Sequence, residues 1–253
     1  MRALKEVIRR GFFRSELVRW GVGAGRVLSG SGGRLGLSHL LAYRNEDEIG
    51  PLQRDEALFL FGLLRVTRPR LVVEFGFFHG HSAFNFLRAL GPKARLVSFD
   101  IKPESKVRAE SEFAHFRNFQ YIEKSQAEFD PSDLRGEKAD FVFIDASHDL
   151  ELNQATFARL LPALSPMAII AVHDTGLWHR AYFLAKHHAY AAGKEERWLS
   201  KDLYQAQIDE RHFVNWIMDD HPEFAQIHFH TTDVLRHGLT LLQRHQRLPT
   251  QAE

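Results

Sequence analysis

The sequence predicts an α/β fold, a doubly wound and mostly parallel seven-stranded sheet that ends in a C-terminal antiparallel hairpin. Three observations predict it. Five short apolar runs alternate with segments of helical period between residues 71 and 174, and strands separated by helices pair in parallel under two layers of helix. Two further strand-like runs near the C-terminus lie only a few residues apart, which suits an antiparallel hairpin. Composition adds the third: at 44% hydrophobic and 26% charged, the chain is that of a soluble globular protein with one sizeable core.

The elements follow in order. Residues 1–45 carry nine Lys or Arg against two acids, a local +7 that leaves −6 for the remainder of a chain whose total is +1. Residues 1–44 therefore read as a basic extension, helical and then flexible through RVLSGSGGRLGLS (26–38), ahead of a main domain over 45–253. Its amphipathic start, ALKEVIRRGFFRSELVRW, suits an anionic membrane surface, a second subunit in a homodimer, or packing on the domain itself. A helix spans QRDEALFLFGLLRVTR (53–68) and stops at Pro69. Strand and helix then alternate: strands at 71–75, 95–100, 119–125, 139–146 and 167–174, helices at 82–90, 104–116 and 152–164. The tail offers a helix at 209–221 and the hairpin strands 224–232 and 237–245.

Several functions are excluded at this stage. With no cysteine, the chain has neither disulfides nor a thiolate nucleophile or thiolate metal site. No apolar run reaches the roughly 18 to 20 residues of a spanning helix, and no continuous hydrophobic leader opens the chain, so a cytoplasmic protein is expected. The near-neutral total gives no reason to expect a nucleic-acid partner.

The chemistry gathers at the ends of the strands. In EFGFFHGHS (74–82), glycines at a strand-to-helix turn let the backbone approach a ligand closely, and the helix that follows offers N–H groups. Gly76 and Gly80 are separated by Phe77, Phe78 and His79, so the G-x-G-x-x-G of a dinucleotide site is absent. The next strand ends in Asp100, well placed to accept from the two hydroxyls of a ribose. FVFIDASHD ends the fourth strand in Asp145 with His148 three residues on, and AIIAVHD ends the fifth in His173 and Asp174. On neighbouring strands these acids would repel one another unless a divalent cation such as Mg²⁺ or Mn²⁺ joined them. A purely structural reading stands beside each: Asp145 as a helix cap, His173 as a packed strand-end residue, His148 as one of 15 histidines. The stretch WHRAYFLAKHHAY (178–190) reads either as a cover over an acceptor pocket or as a packed helix.

Together these motifs resemble the class I S-adenosylmethionine-dependent methyltransferases, over roughly residues 50–175 and again in the closing hairpin. EFGFFHGHS is most similar to the E-x-G-x-x-x-G-x-S form of catechol and related O-methyltransferases. The pair D-x-x-H and H-D resembles the branch with sugar and macrolide O-methyltransferases and cephalosporin hydroxylase-like proteins. The resemblance implies that Glu74, Gly76, Phe77, Gly80 and Ser82 line the methionine end of S-adenosylmethionine and that Asp100 holds its ribose. It places Ser125 and Gln126 near the adenine, and Ile101 and Asp145 complete the cofactor set. By the same resemblance Asp145, His173 and Asp174 bind a divalent metal, and His148 is the base that takes a proton from an acceptor hydroxyl. His173 departs from the acid more usual at its position, and His148 from the lysine of the catechol enzymes. The function expected is O-methylation of a small-molecule hydroxyl. The alternatives are a metal-independent methyltransferase and a non-catalytic protein that keeps the cofactor fold.

Overall fold

The computed structural model describes residues 37–43, 52–175, 209–229 and 238–245. The basic segment 1–36 and the aromatic stretch 178–190 lie outside the described residues.

Within them the chain runs α1 (Arg54–Thr67), β1 (Leu71–Phe75), α2 (His81–Ala89), β2 (Arg95–Asp100), α3 (Pro103–Glu112), β3 (Phe119–Glu123), β4 (Ala139–Ile144), α4 (Leu150–Leu160), β5 (Leu164–Val172), α5 (Asp209–Asp220), β6 (Phe224–Phe229) and β7 (Leu239–Arg244). The strands form one sheet of order β3-β2-β1-β4-β5-β7-β6. The first five are parallel; β7 pairs antiparallel with both β5 and β6. This is the expected sheet, with its hairpin.

Local chemistry explains the elements. Helix α1 opens on a capping box between Gln53 and Glu56 and closes with Arg68 in the left-handed region, just ahead of Pro69. Alternation along the strands sends side chains to opposite faces. Val72, Leu96, Phe141 and Ala171 pack with Leu60, Phe61 and Phe86 of α1 and α2. Val73, Phe75, Val142 and Ile170 pack with Phe157 of α4 and Phe213 and Ile217 of α5. Both faces are thus covered, which is why the strands read as nearly continuous apolar runs.

The differences from expectation are mostly at ends. Strands β4 and β5 stop at Ile144 and Val172, before the residues that carry the chemistry, and Asp174 has turned into the left-handed region at φ 56°. Helix α3 ends at Glu112 and not at 116. Residues 37–42 form a short 3₁₀ turn that takes in Leu37 and Ser38, the last two residues of the expected flexible connection, with His39, Leu40 and Tyr43 buried. The Tyr43 hydroxyl donates to the carbonyl of His81. Buried packing is thus already present at His39, Leu40 and Tyr43.

The topology sets the site. From β1 the order runs outward to β2 and β3 on one side and to β4 and β5 on the other. The carboxyl ends of β1 and β4 flank the switch point, where ligands of open α/β sheets bind.

Candidate active site

A cavity of about 500 Å³ opens at this switch point. The first turn supplies Gly76, Phe77 and Phe78, and α2 Ser82; the end of β2 supplies Asp100, followed by Ile101; the segment after β3 supplies Ser125 and Gln126; the loop after β4 supplies Asp145, Ser147 and His148. Nine of the thirteen residues singled out in the sequence, Gly76, Phe77, Ser82, Asp100, Ile101, Ser125, Gln126, Asp145 and His148, line this one cavity. Glu74, Gly80, His173 and Asp174 are not among its described lining residues and sit just behind it, each for a physical reason.

Gly76 has φ 99°, and a Cβ there would stand 2.0 Å from the carbonyl oxygen of Asp145. Its smallness lets the loops after β1 and β4 touch, so the close approach it permits is to the protein's own backbone. Gly80, at φ 71°, caps α2, where a Cβ would meet the rings of Phe113 and Phe77 at 2.6 and 2.8 Å. The Phe77 ring is itself buried against Phe113, Phe119 and Tyr121. Phe78 holds φ 41°, strained for a non-glycine residue, and its N–H donates to Asp100 Oδ2 at 2.7 Å. Asp100 Oδ1 accepts from the Lys102 N–H at 2.9 Å. Asp100 thus ties the turn after β1 to the end of β2 while facing the cavity.

Glu74 is fully buried, level with Ser98 on β2, whose hydroxyl donates to Oε2 at 2.5 Å. Among the described residues its Oε1 has no hydrogen-bond partner. Burial pushes its carboxyl up to about 8; the hydroxyls of Ser82 and Ser98 offset part of this, and Asp145 and Asp100 add to it. A cationic group reaching this oxygen would find a buried acceptor waiting.

Gln126 is committed to the protein. Its amide donates to Asn153 Oδ1 (2.8 Å) and Thr156 Oγ1 (3.1 Å), and its carbonyl accepts from the Ser147 N–H at 3.2 Å. It braces the loop that carries Asp145 and His148. Ser125 caps the short turn after β3, its Oγ accepting from the Ala127 N–H.

Behind Asp145, His173 and Asp174 complete a cluster in which one ligand atom from each residue lies within 4.8 Å of the others. His173 Nδ1 faces Asp145 Oδ1 at 3.2 Å and Asp174 Oδ1 at 3.6 Å, and Nε2 meets Glu56 Oε2 at 2.9 Å. Burial alone would lower the His173 imidazolium; Asp145, Glu56 and Asp174 outweigh it and hold the ring well above an ordinary histidine. Burial raises the Asp145 carboxyl, with His173 opposing. Once Nδ1 has given up its proton, two carboxylates and an imidazole whose Nε2 is held by Glu56 form a donor set that fits a divalent cation.

Two further acids were missed in the sequence. Glu56 reaches His173 across 117 residues, and Glu210, at the start of α5, holds His148 Nδ1 across 62. No spacing announces either contact. Glu56 looks like an ordinary helix-capping acid, which it also is.

Comparison with known proteins agrees with the fold. Residues 73–175 match a family described as a methyltransferase domain. No curated protein matches the sequence. Among solved structures, the O-methyltransferase TomG from Streptomyces achromogenes, in complex with SAM and involved in tomaymycin synthesis, is similar at 19% identity and TM-score 0.54, over 78% of this chain and 82% of its own. An O-methyltransferase from Bacillus cereus in complex with SAH is similar at 16% identity and TM-score 0.55, over 88% and 97%. The SAH-bound methyltransferase PaMTH1 of Podospora anserina is similar at 17% identity and TM-score 0.56, over 88% and 96%. The matched segment contains Glu74, Asp100, Asp145, His148, His173 and Asp174.

Proposed function

We propose, for a chain with the class I S-adenosylmethionine-dependent methyltransferase fold and a matching methyltransferase segment over residues 73–175, that it O-methylates a small-molecule hydroxyl with help from a divalent metal. One observation carries the reading: a single cavity has Asp100, Ser125 and the glycine turn on one side and Asp145 and His148 on the other.

S-Adenosylmethionine supplies a methyl group on a positively charged sulfur, which leaves as a neutral thioether when the methyl passes to oxygen. Asp100 holds the ribose, Glu74 and Ser82 the methionine end, and Ile101 and Ser125 border the adenine. His148 takes the proton of the acceptor hydroxyl, so that charge balances across the transfer. Asp145, His173 and Asp174 would hold Mg²⁺ or Mn²⁺, and Glu56 would fix the His173 ring. Such a cation supplies Lewis acidity and offsets the gathered carboxylates. Much of the rate enhancement is orientation in a cavity braced by Gln126.

A metal-independent version has one observation in its favour: a His173 imidazolium donating to Asp145 and Glu56 already offsets part of that charge. Titration of chelator-treated protein with Mg²⁺ and Mn²⁺, on wild type and on Asp145→Asn with Asp174→Asn, separates the two. A binding heat that disappears in the double variant supports the metal; no heat in wild type supports the imidazolium. Transfer of labelled methyl from S-adenosylmethionine to a panel of catechols and vicinal diols tests the reaction, and a panel that stays unlabelled while SAH binds would count against O-methylation of such hydroxyls.

A further inference from the structure

The loop after β4 and the first turn of α5 meet in a contact that the reaction as described does not require. His148 Nδ1 lies within hydrogen-bonding reach of Glu210 Oε1. The histidine side chain is 30% exposed and borders the cavity, whereas the glutamate side chain is 4% exposed and points inward from α5. Glu210 is not among the described residues that line the cavity.

We infer that Glu210 is a positioning residue that fixes the tautomer and orientation of His148. This rests on the reading of His148 as the proton acceptor. A neutral imidazole has one N–H and one lone pair, and a carboxylate beside one nitrogen settles which is which. With Nδ1 donating to Glu210, the lone pair lies on Nε2, and that nitrogen is the one that would receive a proton from an acceptor. A buried carboxylate also favours the imidazolium that follows proton transfer, so the same contact serves both stages.

The surroundings hold both partners in place. On the His148 side, Gln126 accepts from the Ser147 N–H, Asn153 donates to the Ser147 carbonyl at 3.0 Å, and Asp149 caps α4 by accepting from Leu152. On the Glu210 side, the neighbouring Arg211 donates to the Thr175 carbonyl at 2.9 Å and to Thr240 Oγ1 at 3.2 Å. Phe213 packs against Phe157 of α4. Helix α5 is thereby fastened to β7 and to the turn that follows His173 and Asp174. The acid that orients His148 and the Asp145, His173 and Asp174 cluster are carried on one braced edge of the sheet.

The test is ¹⁵N-detected histidine NMR on the full chain at a pH where neutral rings dominate, with the His148 signals assigned by their loss in His148→Gln. The expected result is an Nδ1–H tautomer for His148 in wild type and its loss in Glu210→Leu, which removes the acceptor and keeps the bulk. An Nε2–H tautomer in wild type, or an unchanged Nδ1–H signal in Glu210→Leu, overturns the inference. The spectrum needs neither methyl donor nor acceptor. If the expected tautomers are seen but calorimetry shows no SAH binding, the methyl-transfer reading fails and the positioning contact stands.

Discussion

Replacing Glu74 by glutamine converts a titrating buried carboxyl into a neutral group of the same shape. In the folded protein this carboxyl is pushed up from 4.5 to about 8, first by burial and then by Asp145 and Asp100. The folded state therefore keeps a proton that the unfolded chain releases, so stability falls as pH rises from about 4.5 to about 8. At about 1.4 kcal/mol per pH unit, the full loss is on the order of 5 kcal/mol, and about 2 to 3 kcal/mol of it falls between pH 5 and pH 7. Glu74→Gln lacks this term, while every other titrating group is common to both proteins. Urea unfolding of wild type and variant at pH 5, 6 and 7, all without ligand, should show their stabilities diverging in the variant's favour by about 2 to 3 kcal/mol over that range. Parallel curves would refute the reasoning and mean that Glu74 ionises like an exposed acid.

Other consequences follow from the same geometry. Gly76→Ala places a methyl against the Asp145 carbonyl and forces φ away from 99°, so a loss of at least about 2 to 3 kcal/mol is expected in thermal or urea unfolding. Asp100→Ala should weaken SAH by about 1 to 3 kcal/mol in calorimetry, since it removes a charged acceptor; unchanged affinity would move the ribose elsewhere. His148→Ala should lower the methyl-transfer rate by on the order of 10²-fold or more, with SAH affinity nearly unchanged. A fall in SAH affinity that matches the fall in rate would instead make His148 a binding group.

The parts of the fold that were legible are those whose residues answer to their immediate neighbours in sequence. LVVEF, RLVSFD and ADFVFI read as strands because both faces of the sheet are covered, and a chain buried on two sides leaves an unbroken apolar run. Asp100, Asp145 and Asp174 were legible because they interrupt or end such runs. Element ends were less so. Strand β5 stops two residues early because Asp174 turns into the left-handed region, which apolar pattern does not register.

Contacts distant in sequence left no trace in it. Glu56 satisfies its own helix cap as well as His173, so its sequence context is fully explained without the second role. Glu210 opens a helix in which an acid near the N-terminus is ordinary. The glycines were found for a partly different reason: Gly76 accommodates the Asp145 carbonyl, and Gly80 the rings of Phe77 and Phe113. Gln126 was singled out by position near the adenine, yet its amide is spent on Asn153, Thr156 and Ser147, bracing the loop after β4.

The central claim is that the cavity at the β1 and β4 ends binds the methyl donor, and calorimetric titration of the purified full chain with SAH tests it most directly. The account predicts one site per chain, weakened in Asp100→Ala. A folded wild-type protein that gives no binding heat with SAH at any of several temperatures, and no ligand-induced thermal stabilisation, would contradict it.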